Sequence, residues 1–180
     1  MELLDVVDAN GIPTGQTVTR EEAHRCGIRH RTSHVWLLRI HNDRIQVLLQ
    51  KRSLNKDSYP GCYDISSAGH IPAGDDFLES ALRELKEELG VEAYAYELVY
   101  CGQRQLEFRD KFHGLDFWDK QVSNIYALWR DMEPRELTIQ RSEVENVLWM
   151  DWDECIDMVQ NMKKPNCIWI QELMMVSSVF

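Results

Sequence analysis

Four leucines fix one helix in this chain and strand three glutamates on its other side. Leu78, Leu82, Leu85 and Leu89 recur at steps of four, three and four, which places them on one face at helical period and commits that face to a core. Asp76 as N-cap, with Glu79 three residues on, predicts where the helix starts, and Gly90 predicts where it stops. Glu84, Glu87 and Glu88 then converge on a single patch. Like charges four apart cost a helix about 0.2–0.5 kcal/mol, and carboxylates in the last turn face the negative end of the macrodipole at about 0.3–1 kcal/mol each. A cation reverses both signs, and Mg²⁺ takes hard oxygen ligands between protein carboxylates and phosphates. The plain alternative is a solvated acidic face, since Glu is a good helix former.

The remaining composition narrows the class of protein. A length of 180 residues with 44% hydrophobic content can bury a substantial core, and we expect a single domain over 1–180, with 1–29 an N-terminal extension and 30–180 the core. The net charge of −10 argues against a nucleic-acid surface, which needs clustered Lys and Arg. Five cysteines without a C-x-x-C pair fit reduced thiols better than a disulfide framework, and no run of 18 apolar residues suggests a membrane span. The expectation is a soluble cytoplasmic protein with a small-molecule partner.

Residues 2–7 and 12–18, around Asn10-Gly11, predict a β-hairpin, and Arg20 to Arg25 a short helix between Thr19 and Gly27. Runs at 30–40 and 44–51 predict a second hairpin. Residues 53–63 collect Asn, Asp, Ser, Pro and Gly and predict a loop, followed by a short strand at 64–68. Further strands are expected at 91–103, 122–129 and 144–152, with a polar and aromatic connection over 108–118 and a brief, weak run at 137–139. Helices are expected at 153–162 and 169–179. Strands outnumber helices, so the fold class is α+β with a mixed sheet. Lys51, Arg52 and Lys56, just ahead of Gly69, are candidate phosphate ligands, as are Arg104 and Arg109. Against this stands the frequency of idle surface charge. Trp36, Trp118 and Trp129 offer a stacking surface for a base or, as readily, core packing.

The stretch from Gly69 to Val91, GHIPAGDDFLESALRELKEELGV, resembles the Nudix box, G-x5-E-x7-R-E-U-x-E-E-x-G-U with U aliphatic. Gly69, Arg83, Glu84, Leu85, Glu87, Glu88, Gly90 and Val91 fall in register, and Asp75 stands where the family has Glu. The resemblance implies a Nudix-type α/β/α sandwich and hydrolysis of a diphosphate linkage with Mg²⁺, or Mn²⁺, as cofactor. It implies metal ligands at Glu84, Glu87, Glu88 and the Gly69 carbonyl. Glu87 or Glu88 would take a proton from water, and Arg83 would orient a carboxylate. The substrate would be a nucleoside diphosphate or another X-diphosphate compound.

A longer resemblance carries His24, His30-Arg31, Gln50 to Ser53, Lys56 to Gly61 and Gly69-His70. These look like the Nudix branch that includes isopentenyl-diphosphate isomerase and its hydrolase-like relatives. There, histidines matching His24, His30 and His70 help bind metal, which implies a second metal site. Isomerisation itself requires a Cys where this chain has Ala68, and a partner Glu where it has Gln121, with Asp119 nearby. The intact set from Arg83 to Glu88 resembles the hydrolases. The leading expectation is therefore a Nudix hydrolase, with the isomerase and a non-catalytic nucleotide sensor as alternatives. The N-terminal hairpin could mediate a homodimer or cover the pocket.

Overall fold

Strand β3 (His30–His41) is the axis to which the other layers refer. The computed structural model describes residues 2–180, and β3 lies at the middle of a seven-stranded mixed sheet. One of its edges runs parallel to β8 (Leu115–Trp129), from His30 opposite Gln121 to Leu38 opposite Trp129. Its other edge is shared. β6 (Ser67–His70) pairs with residues 32–35 and β4 (Arg44–Arg52) with residues 38–41, both antiparallel. β5 (Tyr63–Asp64) and β9 (Val144–Asp151) extend from β4, and β7 (Val99–Phe112) closes the far side on β8. Ser66 braces the point where β4 and β6 part, its Oγ donating to Leu48 O and accepting from Leu37 N.

Alternation along the strands divides the core in two. Val35, Leu37 and Leu48 face helix α2 (Phe77–Leu89), whose Ala81, Leu85 and Leu89 are fully buried against them. Each such leucine contributes about 1.5–3 kcal/mol. Trp36, Leu38, Val47 and Ile125 face the other way, onto α3 (Trp152–Gln160) and α4 (Ile170–Val176). The architecture is thus an α/β/α sandwich. An N-terminal hairpin, β1 (Leu3–Val7) with β2 (Pro13–Thr19), and helix α1 (Arg20–Cys26) pack on one end around Leu4, Val18 and Ala23. Asp5 ties the hairpin down, accepting from Arg31 Nη2 at 2.7 Å and from Gly74 N at 2.9 Å.

Two expectations need correction. Residues 108–118 are no loop: β7 and β8 continue through them to a two-residue turn at His113-Gly114, with φ of 51° and 79°. Asn-Gly and Asp-Gly are the usual signals of such a turn, and charged residues on both faces hid the strands. Residues 91–98, expected in a strand, contain only a 3₁₀ turn at Ala95–Glu97. Their Tyr94 and Tyr96 are exposed, and Val91, Leu98 and, partly buried, Ala93 reach the α2 core. The weak run at 137–139 likewise forms no strand, whereas the Asn42-Asp43 hairpin turn and the Thr19 and Asp76 caps form where expected. No helix among the described residues is long and apolar enough to cross a membrane.

Glu172 anchors α4 to the sheet. It is buried, accepting from Trp36 Nε1 at 3.1 Å, with His34 Nδ1 at 2.7 Å and Arg104 Nη2 at 2.8 Å. Burial pushes its carboxyl up, but His34 first and then Arg104 and Trp36 outweigh that and hold it below the ordinary glutamate value. A depressed acid contributes stability above its unfolded pKa, 4.5, and loses it as pH falls through the folded value. Glu172→Gln is expected to cost about 3–5 kcal/mol at pH 7. Thermal melts should show that deficit shrinking steadily below about pH 4.5.

Candidate active site

A glycine without which two layers could not meet sets the geometry. A Cβ added at Gly69 would overlap Glu84 Cδ and Cγ, so the bare backbone of β6 is what lets this α2 carboxylate approach. Arg83 orients the approach, its Nη1 lying 2.9 Å from Glu84 Oε1 and 3.1 Å from Glu87 Oε2, while Nη2 donates to His70 O at 3.4 Å. Glu88, 5% exposed, enters where β4 and β6 part and accepts from Gln50 Nε2 and Ala68 N, both at 3.4 Å. Glu87 is outside this burial, its side chain 53% exposed. Asp75 sits apart in a turn closed by its N–H to Pro72 O.

Burial and repulsion from neighbouring carboxylates make the two inner acids reluctant to ionise. Burial raises Glu84, with Arg83 opposing. Burial, then Glu84, pushes Glu88 up to about 8. Two carboxyl groups held apart from water beside a backbone carbonyl form a donor set that a hard divalent cation would complete.

On the other side of β6 the pleat presents Ala68 and His70 to a cavity of about 140 Å³. His24 from α1, His30 from β3 and His70 bring ligand atoms within 4.8 Å of one another. Asp119 on β8 joins them, its Oδ1 lying 3.8 Å from His24 Nε2 and 3.6 Å from His30 Nε2. His30 Nδ1 lies 2.9 Å from Ile28 O, which fixes the ring, yet His30 Nε2 and Asp119 Oδ1 are buried without a hydrogen-bond partner among the described residues. Burial, then His30, pulls His24 down to about 3, and burial also lowers His70 well below the ordinary value. Burial raises Asp119, with His30 opposing. Three imidazoles, those of His24 and His70 held neutral, with an orphaned acceptor beside them fit a divalent ion.

The expected cations part company here. Arg52 and Lys56 line the cavity, but Lys51 does not and reaches Glu145 at 3.1 Å. Arg52 is spent on protein: Nη1 donates to Asp64 Oδ2 at 2.9 Å and Nε and Nη2 donate to Ser58 O. Lys56 pairs with Glu143. Arg104 also lines the cavity, whereas Arg109 stacks on Trp118 outside it. Trp36 is core, packed against Trp152, and Trp129 packs near Phe180. The tryptophan that faces the cavity is Trp169, with Phe108, Phe117 and Tyr59, and no spacing in the sequence pointed to it.

This assembly has known counterparts. The NUDIX domain profile matches residues 30–170. The chain belongs to the Nudix family. An uncharacterized Nudix hydrolase of Clostridium acetobutylicum is 34% identical over 160 residues, covering 89% of this chain and 75% of its own length. Nudix hydrolase 3 of Arabidopsis thaliana is 40% identical over 156 residues, 85% of this chain but 20% of that longer protein. A crystal structure from Deinococcus radiodurans shares the fold, with a TM-score of 0.69 at 18% identity and 98% of each chain covered. By family this Nudix chain is a pyrophosphohydrolase. The profile begins at residue 30, after α1, so His24 reaches the cavity from outside the matched region.

The raised Glu88 has a measurable consequence in metal-free protein. An acid whose folded pKa is raised contributes fully below its unfolded value of 4.5 and loses that contribution as pH rises through about 8. Melting curves of the wild-type Nudix protein in chelator, referred to Glu88→Gln, should therefore fall between pH 5 and 8.5, by about 4–5 kcal/mol in all.

Proposed function

We propose that this chain is a Mg²⁺-dependent hydrolase of the phosphoanhydride in a nucleoside diphosphate derivative or a related X-diphosphate compound. The observation that carries the reading is a pair of carboxylates brought onto β6, the partly buried Glu84 against the side-chain-free backbone of Gly69 and the buried Glu88 onto Ala68 N. Glu84, Glu88 and the Gly69 carbonyl would hold the cation, with Mn²⁺ the alternative, and Glu87 completes the set at its exposed margin. When bound, such an ion supplies neutralisation of phosphate charge and acidification of water. Arg83 keeps Glu84 and Glu87 from swinging apart. Glu87 or Glu88 would take the proton from water. Lys56 would meet the diphosphate by exchanging Glu143 for phosphate oxygen, while Arg52, bonded to Asp64 and Ser58, braces the loop that carries Lys56. His24, His30, His70 and Asp119 would take a second divalent ion.

Isomerisation fits these residues less well. Ala68 offers the cavity a methyl group, and the Gln121 amide donates to Asp119 while its carbonyl accepts from Thr32. Cys167 also lines the cavity, but burial, then Asp64, pushes its thiol well above the ordinary value. A sensor that merely holds nucleotide would not need the intact carboxylate set.

Phosphorus NMR with Mg²⁺ and a pool of nucleoside diphosphates, nucleotide sugars and isopentenyl diphosphate tests hydrolysis against the other two, both of which leave the diphosphate intact. Hydrolysis predicts new monophosphate signals, reduced about 10²–10⁴-fold in Glu84→Gln or Glu88→Gln. Unchanged turnover in both variants would overturn the assignment of those acids, and a pool left intact at every phosphorus would overturn hydrolysis. Independently, His30→Ala should lose one equivalent of bound Mn²⁺ in a paramagnetic-resonance titration, with the Glu84 and Glu88 site still filled. An unaltered stoichiometry would remove the histidines from metal binding.

A further inference from the structure

Arg104 is an arginine of the cavity wall whose hydrogen bonding is unfinished. Its side chain is 7% exposed and its Nη2 lies 2.8 Å from Glu172 Oε1, yet Nε and Nη1 are buried with no acceptor among the described residues. Arg52, on the same cavity, has an acceptor for every guanidinium nitrogen. A side chain kept only as a counter-ion would resemble Arg52, because buried donors without partners are selected against. Nor does Glu172 depend on Arg104 alone, since His34 and Trp36 already hold it.

The sheet register says what such donors could meet. Arg104 lies opposite Ser123, Ser123 opposite Thr32, and Thr32 opposite His70, across four neighbouring strands. At about 4.8 Å per strand, the Arg104 backbone stands about 14 Å from that of His70. The guanidinium itself reaches back over β8 to Glu172 beside His34, so a group on Arg104 would sit on the β7 and β8 side of the same cavity, away from the diphosphate at Gly69. The walls between are Leu106, Phe108, Phe117 and Trp169, and the guanidinium carbon lies 5.9 Å from the Trp169 ring centroid.

We propose that Arg104 binds a second anionic group, a carboxylate or a phosphate, at the end of the substrate remote from the scissile diphosphate. Glu172 is the positioning residue, fixing the guanidinium so that its remaining N–H groups point into the cavity, and Trp169 is the apolar wall along which the intervening part of the substrate lies. The proposal rests on the diphosphate reading for the position of the first anion and makes this enzyme selective for substrates charged at both ends. Neutral-tailed diphosphates would leave the donors unpaired, and such a mismatch is the strongest source of discrimination a site has.

Calorimetry on the full-length protein with Mg²⁺ tests it through binding, independently of turnover. The probes are methylenediphosphonate monoesters with methylene tails of graded length ending in methyl, carboxylate or phosphate. At the matching length a charged tail should bind at least about tenfold more tightly than methyl, and the better of the two charged ends identifies the group. Arg104→Met should reduce that ratio to within about twofold, while Arg104→Lys, which keeps the charge beside Glu172, should retain part of it. Equal binding of all three tails by the wild type overturns the proposal, whether or not either variant folds. So does a charged-tail preference that survives in Arg104→Met. If no ester binds, the diphosphate reading fails and takes this assignment with it, whereas a methyl ester that binds as well as the others sinks this assignment alone.

Discussion

Everything at the active site depends on two carboxyl groups being held in a place that disfavours their charge. Glu84 and Glu88 lie on successive turns of α2 against β6, Glu84 partly and Glu88 fully buried; burial raises the proton affinity of both, Glu87 raises that of Glu84 further and Glu84 that of Glu88. The fold tolerates this because Ala81, Leu85 and Leu89 share the buried face of α2 with Glu88, and burial of about 1.5–3 kcal/mol per leucine exceeds the helix-end and like-charge penalties. The leucines thus hold the acids in position, and the repulsion is stored between those acids. Binding of a cation releases it.

The pleat of β6 then separates two kinds of ligand within a few residues. Gly69 yields to Glu84 on the α2 side, while Ala68 and His70 face the cavity. The hard oxygen set and the imidazole set are therefore neighbours through one strand's thickness without competing for space. The imidazole set also explains why the N-terminal hairpin is held so closely. α1 carries His24, and its placement depends on Asp5 gripping Arg31 and Gly74 and on Gly27, which ends α1 in the left-handed region at φ 64° where a Cβ would strike the Trp118 ring.

The α2 site was legible because it is local. A helical period, a cap and three acids at fixed offsets lie within one stretch, and local spacing is what a sequence displays. The histidines were legible only through resemblance, since His24, His30 and His70 come from three elements that the sheet alone brings together. Asp119 stood in the sequence as a neighbour of Gln121, but its place among the imidazoles required the parallel register of β3 with β8. Trp169, Glu172 and His34 gave no signal at all. Their relation spans 138 positions from His34 to Glu172, and neither residue type nor spacing marks such a pair. The long β7–β8 hairpin was hidden for a different reason: its far end is charged on both faces, so no alternation shows, and its turn is His-Gly.

The charge economy of the cavity follows from the same geometry. A protein of net charge −10 repels a diphosphate at long range, so attraction must be local. Yet most of the cavity's cations arrive already engaged: Arg52 with Asp64, Lys56 with Glu143, Arg104 with Glu172, and Arg20 more loosely with Glu2. Each pair is close to neutral and contributes direction more than net charge, because a fixed donor discriminates by geometry where a mobile counter-ion would not. Neutralisation of the diphosphate therefore falls to a cation carried in from solution, and the two acids on α2 are what would recruit it. A wall of paired residues and a pair of reluctant carboxylates are in this sense one design, since stronger fixed positive charge in the cavity would stabilise the free carboxylates and weaken their demand for the metal.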